Sequence, residues 1–102
     1  MPLFIKTERF TKETLNLLPE ERNKYLAQHK YWVEKLIASG EKLSTGYLTN
    51  KERQPGGGGL LVIEAPSFAA AKEVLEQDPM IANNLVSWEL QEWVPLIGKL
   101  LA

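Results

Sequence analysis

Cysteine is absent from the 102 residues and histidine occurs once, at position 29. The first absence excludes disulfides, thiol nucleophiles and thiolate metal sites, and the second leaves an intrachain zinc site without its ligands. No metal and no cofactor is expected, and acid–base chemistry falls to carboxylates, hydroxyls and His29. A surplus of one charge sign is missing too: 12 lysines and arginines stand against 13 aspartates and glutamates, interspersed along the chain. Recognition of nucleic acid needs basic side chains gathered on one face, so no nucleic-acid partner is expected. No window is apolar for long enough to span a membrane, and the N-terminal MPLFIKTERF lacks the basic start and apolar run of a signal peptide. A soluble cytoplasmic protein without membrane contact follows as the expectation. Residues 1–102 are expected to form one domain, which at this length buries only about two thirds of the surface of its unfolded chain. Association with a partner would therefore add stability.

The chain supplies alternating patterns of strand and helix. Leu3 to Phe10 mixes β-formers with charges and predicts a first strand. Thr11 to Leu18 has no clear period and reads as a polar connection. Pro19 with Glu20 and Glu21 starts a helix, since proline is tolerated at the first position and carboxylates suit the positive end of the dipole; Gly40 closes it. Leu26, Val33, Leu36 and Ile37 form its apolar stripe, with Tyr25 and Trp32 along the edge. At about 100° per residue His29 lies roughly 60° from Leu26, on the inward arc. Leu43–Thr49 and Leu60–Ala65 read as strands joined by the loop NKERQPGGGG, and the second of them is apolar on both parities, as a strand covered on both faces would be. Ser67 caps a second helix with Phe68, Ala71, Val74 and Leu75 inward, and Pro79 ends it after Asp78. Val86, Trp88 and Leu90 alternate with Ser87, Glu89 and Gln91 in a last strand. The apolar tail Leu96 to Ala102 is expected to make one or two helical turns.

This order is βαββαβ, an α+β arrangement of the ferredoxin-like kind with both helices on one face of an antiparallel sheet. The other face would stay bare. A second copy of the same sheet is the simplest cover, which predicts a two-fold homodimer.

Three features invite chemistry. The run PGGGG suggests a phosphate loop, but it opens onto a strand and lacks the Lys-Ser/Thr that follows a Walker glycine run, so a flexible hairpin loop is the better reading. Trp88 and Trp93 could stack on an aromatic ligand, although large aromatics on a strand mainly pack. Asp78 sits where a helix C-terminus would oppose its charge at a cost of a few tenths of a kcal/mol, and Asp-Pro as a turn starter is the plain explanation. With the two helices taken to start at the same end of the sheet and run in the same direction, His29, ten residues past Pro19, and Asp78, eleven past Ser67, lie about 15–16 Å down. Neighbouring helix axes stand about 8–10 Å apart, so imidazole and carboxylate could meet. Such a carboxylate would orient the ring and favour one tautomer, as a general acid or base requires. A satisfied core histidine is the alternative.

The stretches HKYWVEKLIASGEKLSTG and PGGGGLLVIEAPSFAAAKEVLEQDP, with a tryptophan-rich final strand, resemble the YCII-related domain family over nearly the whole chain, from the first strand through Trp93. The sharpest points are His29, Gly40, Gly46, Gly58 or Gly59, and Asp78-Pro79. The resemblance implies a ferredoxin-like fold, dimers of the dimeric α+β barrel kind, and a His-Asp active site that carries over as His29 and Asp78. Family members and their wider superfamily carry out dehydrochlorination, muconolactone isomerisation and cofactor-free monooxygenation. This chain has Tyr47 where the family often has proline after glycine, and Asn84 where it often has glycine; asparagine tolerates the left-handed backbone. The resulting expectation is a homodimeric small-molecule enzyme for elimination or isomerisation, with Trp32, Tyr47 and Trp88 as substrate-binding candidates. The alternative is a non-catalytic ligand-binding or assembly module of the same fold.

Overall fold

The computed structural model describes residues 1–98. Strand β1 (Leu3–Phe10) is followed by a single helical turn α1 (Lys12–Leu15) and the long helix α2 (Pro19–Ala38). Strands β2 (Leu43–Thr49) and β3 (Pro55–Glu64) form a hairpin; α3 (Phe68–Leu75), α4 (Pro79–Ala82) and β4 (Val86–Trp93) complete the chain. The sheet order is β2-β3-β1-β4 with every neighbouring pair antiparallel, which is the ferredoxin-like topology.

Register decides which side chains share a face. Phe4 stands opposite Ile63, Lys6 opposite Leu61 and Leu90, and Glu8 opposite Gly59 and Trp88. On this side Phe4, Leu61 and Ile63 are buried in one cluster with Ala71 and Leu75 of α3 and Met80 and Ile81 of α4, and Tyr25 and Trp32 of α2 pack against it. Successive residues of a strand alternate faces, so Leu3, Ile5 and Thr7 point to the opposite side with Leu60 and Val62.

The start of α3 and the end of α2 are built as the sequence predicts. Ser67 accepts a hydrogen bond from the Ala70 amide. Gly40, at φ 99°, ends α2 with paired bonds from its own amide to Ile37 and from Glu41 to Leu36, a Schellman closure that needs a left-handed residue. Asn84 takes φ 56°, as its tolerance of that conformation allows.

Other expectations are corrected. The connection Thr11–Leu18 contains α1, capped by Thr11, and the buried Thr14 hydroxyl donates to the Leu85 carbonyl at 2.7 Å. The packed arc of α2 runs through Tyr25, His29, Trp32, Val33 and Leu36, whereas Leu26 and Ile37 are 39% and 53% exposed. Seating the two large aromatic rings turns the smaller aliphatics outward. The glycine run belongs to β3 instead of a loop. A Cβ at Gly57 would lie 2.7 Å from the Thr49 carbonyl oxygen, and one at Gly58 2.4 Å from that of Glu8, so neighbouring backbones use the space that side chains would take. Leu96, Ile97 and Gly98 are not helical. The rest of the expected helical tail, residues 99–102, lies outside the described residues.

Candidate active site

α2 and α3 run in opposite directions. β1 and β3 are antiparallel, α2 returns the chain from the far end of β1 to the start of β2, and α3 begins beside the end of β3 that pairs with Leu3. The premise of co-directional helices is therefore wrong. His29 and Asp78 still meet, because His29 lies at the middle of a 20-residue helix and the chain leaves α3 near the same level.

Asp78 is also not the last residue of a helix. α3 stops at Leu75, and Asp78 is the N-cap of α4, with Pro79 at the first helical position and its carboxylate accepting the Met80 amide at 2.9 Å. Its charge thus faces the positive end of a helical turn instead of opposing a negative one. The same oxygen, Oδ1, lies 2.9 Å from His29 Nδ1, and Oδ2 lies 3.3 Å from Lys6 Nζ. Lys6 in turn donates to Glu8 Oε1 at 2.9 Å. Asp78 and Lys6 are fully buried, while 17% of the His29 side-chain surface remains open.

The electrostatics of Asp78 follow from these partners. Burial alone pushes its carboxyl up. The hydrogen bond and charge of His29, the Met80 amide and the Lys6 ammonium together outweigh burial and hold the carboxyl below its ordinary value of 3.8. An ionised Asp78 only accepts, so Nδ1 carries the proton and donates, and in the neutral ring the lone pair sits on Nε2. Trp32 lies beside the ring, its centroid 5.9 Å away at an interplanar angle of 37°. The arrangement is chemically that of an oriented imidazole able to take a proton at Nε2.

The other candidates are placed unequally. Trp32 touches the imidazole. Trp88 stands opposite Glu8 on β4 and is half-buried; Tyr47 stands opposite Gly59 and is 68% exposed, outside the hydrogen-bonded group. A concavity of about 380 Å³ is lined by Glu8, Trp88, Thr7, Arg9, Leu48 and Ser87, among others, at the glycine-rich end of the sheet, and it does not reach His29. Among the described residues no group of three His, Cys, Asp or Glu side chains comes together to hold a metal ion, and no helix is long and apolar enough to cross a membrane.

Lys6 and Glu8 are the members of the site that sequence reasoning misses. Their signal is positional: in LFIKTERF both fall on the parity of Phe4, two opposite charges on the strand face that must be buried.

The sequence model described as the YCII-related domain matches residues 3–94. No curated protein matches the chain. Among solved structures, a 5-chloro-2-hydroxyhydroquinone dehydrochlorinase from Burkholderia phenoliruptrix AC1100, in complex with 2,5-dihydroxybenzoquinone, is similar with a TM-score of 0.62 and 22% identity over 90% of this chain and 93% of its own. A muconolactone isomerase is similar with a TM-score of 0.64 and 16% identity over 98% of this chain and 96% of its own. Both likenesses are of fold, the one shared by dimeric α+β barrel proteins.

Proposed function

Because the chain belongs to the YCII-related domain family, we propose that it is a small-molecule enzyme in which His29 transfers a proton at Nε2 and Asp78 orients the ring. The reaction is an elimination or an isomerisation. In an elimination the base takes a proton from carbon, the electrons of that bond form a double bond, and the leaving group departs with its own pair; an isomerisation returns the proton at another atom. A placed base performs either step. The names of the two similar structures, a dehydrochlorinase and an isomerase, are in keeping with this class and suggest halogenated hydroquinones and unsaturated lactones as first substrates to try. The protein would act in the cytoplasm as a homodimer.

The observation that carries the reading is the 2.9 Å contact between His29 Nδ1 and a fully buried carboxylate that is also held by the Met80 amide on the same oxygen and by Lys6 on the other. Contacts on both oxygens favour one orientation of the carboxylate, and with it one orientation of the imidazole it accepts from. With a substrate in hand, His29→Ala and Asp78→Asn should each lower turnover by roughly 10²–10⁴-fold, the range of a general acid–base contribution. Wild-type rates in both variants would end the assignment. The second reading, a non-catalytic ligand-binding or assembly module, draws on the concavity of about 380 Å³ at Glu8 and Trp88, away from the imidazole. It predicts a ligand whose binding quenches Trp88 fluorescence and is indifferent to His29→Ala.

A further inference from the structure

A lysine at the centre of a four-stranded sheet requires an explanation. Lys6 is fully buried between Leu61 and Leu90, its neighbours in register, and an aliphatic side chain there would fill the core without the desolvation of an ammonium. Its Nζ bridges two carboxylates from different parts of the chain, Asp78 at 3.3 Å and Glu8 at 2.9 Å. Glu8 is held no less deliberately. Its side chain is 13% exposed, and its second oxygen, Oε2, is buried with no hydrogen-bond partner among the described residues. Its carboxyl occupies the space over Gly59, where a Cβ would stand 3.0 Å from Oε1 and 3.1 Å from Cγ. Here the glycine run acquires a purpose: β3 gives up side chains so that the Glu8 carboxylate can lie beside Lys6.

We infer that Lys6 and Glu8 are positioning residues for His29, forming with Asp78 a buried charge chain His29–Asp78–Lys6–Glu8 in which Lys6 locks the far oxygen of Asp78 and Glu8 cancels the charge of Lys6. Without Lys6, Oδ2 would be an unpartnered buried oxygen and the carboxylate would be held through Oδ1 alone, by His29 and the Met80 amide. Without Glu8, the full ammonium charge would act on Asp78 and, through it, oppose a proton on His29. The pair is electrically neutral as a unit, so it fixes geometry while leaving the charge of Asp78 for the imidazole. The other ionisable groups on the inward faces of the elements packed here are Arg22 and Tyr25 on α2, Tyr47 on β2 and Glu92 on β4; none of them hydrogen-bonds to the charge chain, and Arg22 donates instead to the Leu15 carbonyl at 3.1 Å.

This role presupposes the proton-transferring His29 proposed above, and the single histidine makes both separable. Acylation of the full-length protein by diethyl pyrocarbonate, followed by the ultraviolet absorbance of N-carbethoxyhistidine, reads His29 alone, and its rate against pH reports when the ring is free of its second proton. In Glu8→Gln, which keeps shape and removes the charge, the profile moves to lower pH by roughly one unit, the effect of one uncompensated charge two hydrogen bonds away. In the charge-balanced Lys6→Met/Glu8→Gln it returns toward the wild-type position. Gly59→Ala retains every charge but crowds the Glu8 carboxylate, and moves the profile in the same direction by less, which keeps the test open should Glu8→Gln not fold. An unmoved profile in Glu8→Gln and Gly59→Ala, or an equal displacement in the double variant, overturns the role of Lys6 and Glu8. A profile that answers to Asp78→Asn but not to these variants overturns that role alone and leaves the proposed function standing.

Discussion

At the scale of single residues, Asp78 joins more structure than any other side chain of the site: it caps α4, orients His29 and balances Lys6. Its carboxyl titrates below the ordinary 3.8 in the folded protein, whereas an unfolded chain holds it near that value. The stabilisation is therefore fully present above the unfolded value and is lost as pH falls through the lower, folded one. Urea unfolding from about pH 6 down to about pH 3 should show this loss in the wild type and a flatter profile in Asp78→Asn. Near neutral pH Asp78→Asn should be less stable by roughly 3–5 kcal/mol, since it strips Lys6 of one of two buried counter-charges. A variant as stable as wild type, or one with an unchanged acid limb, would contradict the network as drawn. Asp78 also marks a limit of sequence reading. Its type and its neighbour Pro79 fit both a helix end and a helix start, and only the stop of α3 three residues earlier decides for the start.

At the scale of elements, α2 and the glycine strand show two ways in which pattern underdetermines packing. The 3.6-residue period correctly places a long amphipathic helix from Pro19 and turns His29 inward, but the arc is broad enough to admit two rotations. Trp32 and Tyr25 decide between them by bulk, at the expense of Leu26 and Ile37. PGGGG reads as a loop because glycine is a poor strand former; it is a strand because β1 and β2 approach too closely for side chains. Gly57→Ala and Gly58→Ala should therefore each lower stability by about 1–3 kcal/mol, as forced overpacking does. Gly46→Ala, where nothing lies within 4 Å, should change it little. Denaturant midpoints of the three variants test the contrast, and equal midpoints would refute it.

At the scale of the whole molecule, the sheet is covered on one side only among the described residues. Leu3, Ile5, Leu60 and Val62 share the face turned away from the helices, and each keeps part of its surface open in the single chain. The proposed homodimer would bury this face against its copy. Sedimentation velocity should then give a dimer at micromolar concentration, and Val62→Glu, which places a charge at the centre of the face, should convert it to monomers while leaving the helix-side core intact. A wild-type monomer would remove the proposal, and with it the explanation of why β3 is apolar on both parities.

The sequence by itself determined the order of strands and principal helices, the ferredoxin-like topology and the membership of the family, because hydrophobic period, caps and breakers are local properties that neighbours in the chain already carry. It also singled out His29 and Asp78, though by a depth argument that assumed the wrong helix direction. Tertiary structure alone decided how they meet: α2 packed against α4, a carboxylate capping a turn that no periodicity announces, and a lysine and glutamate brought to it from β1. These depend on which backbones and charges become neighbours across as many as 72 positions of sequence. Burial, which makes an ion pair matter, is a property of that assembly and not of any stretch within it.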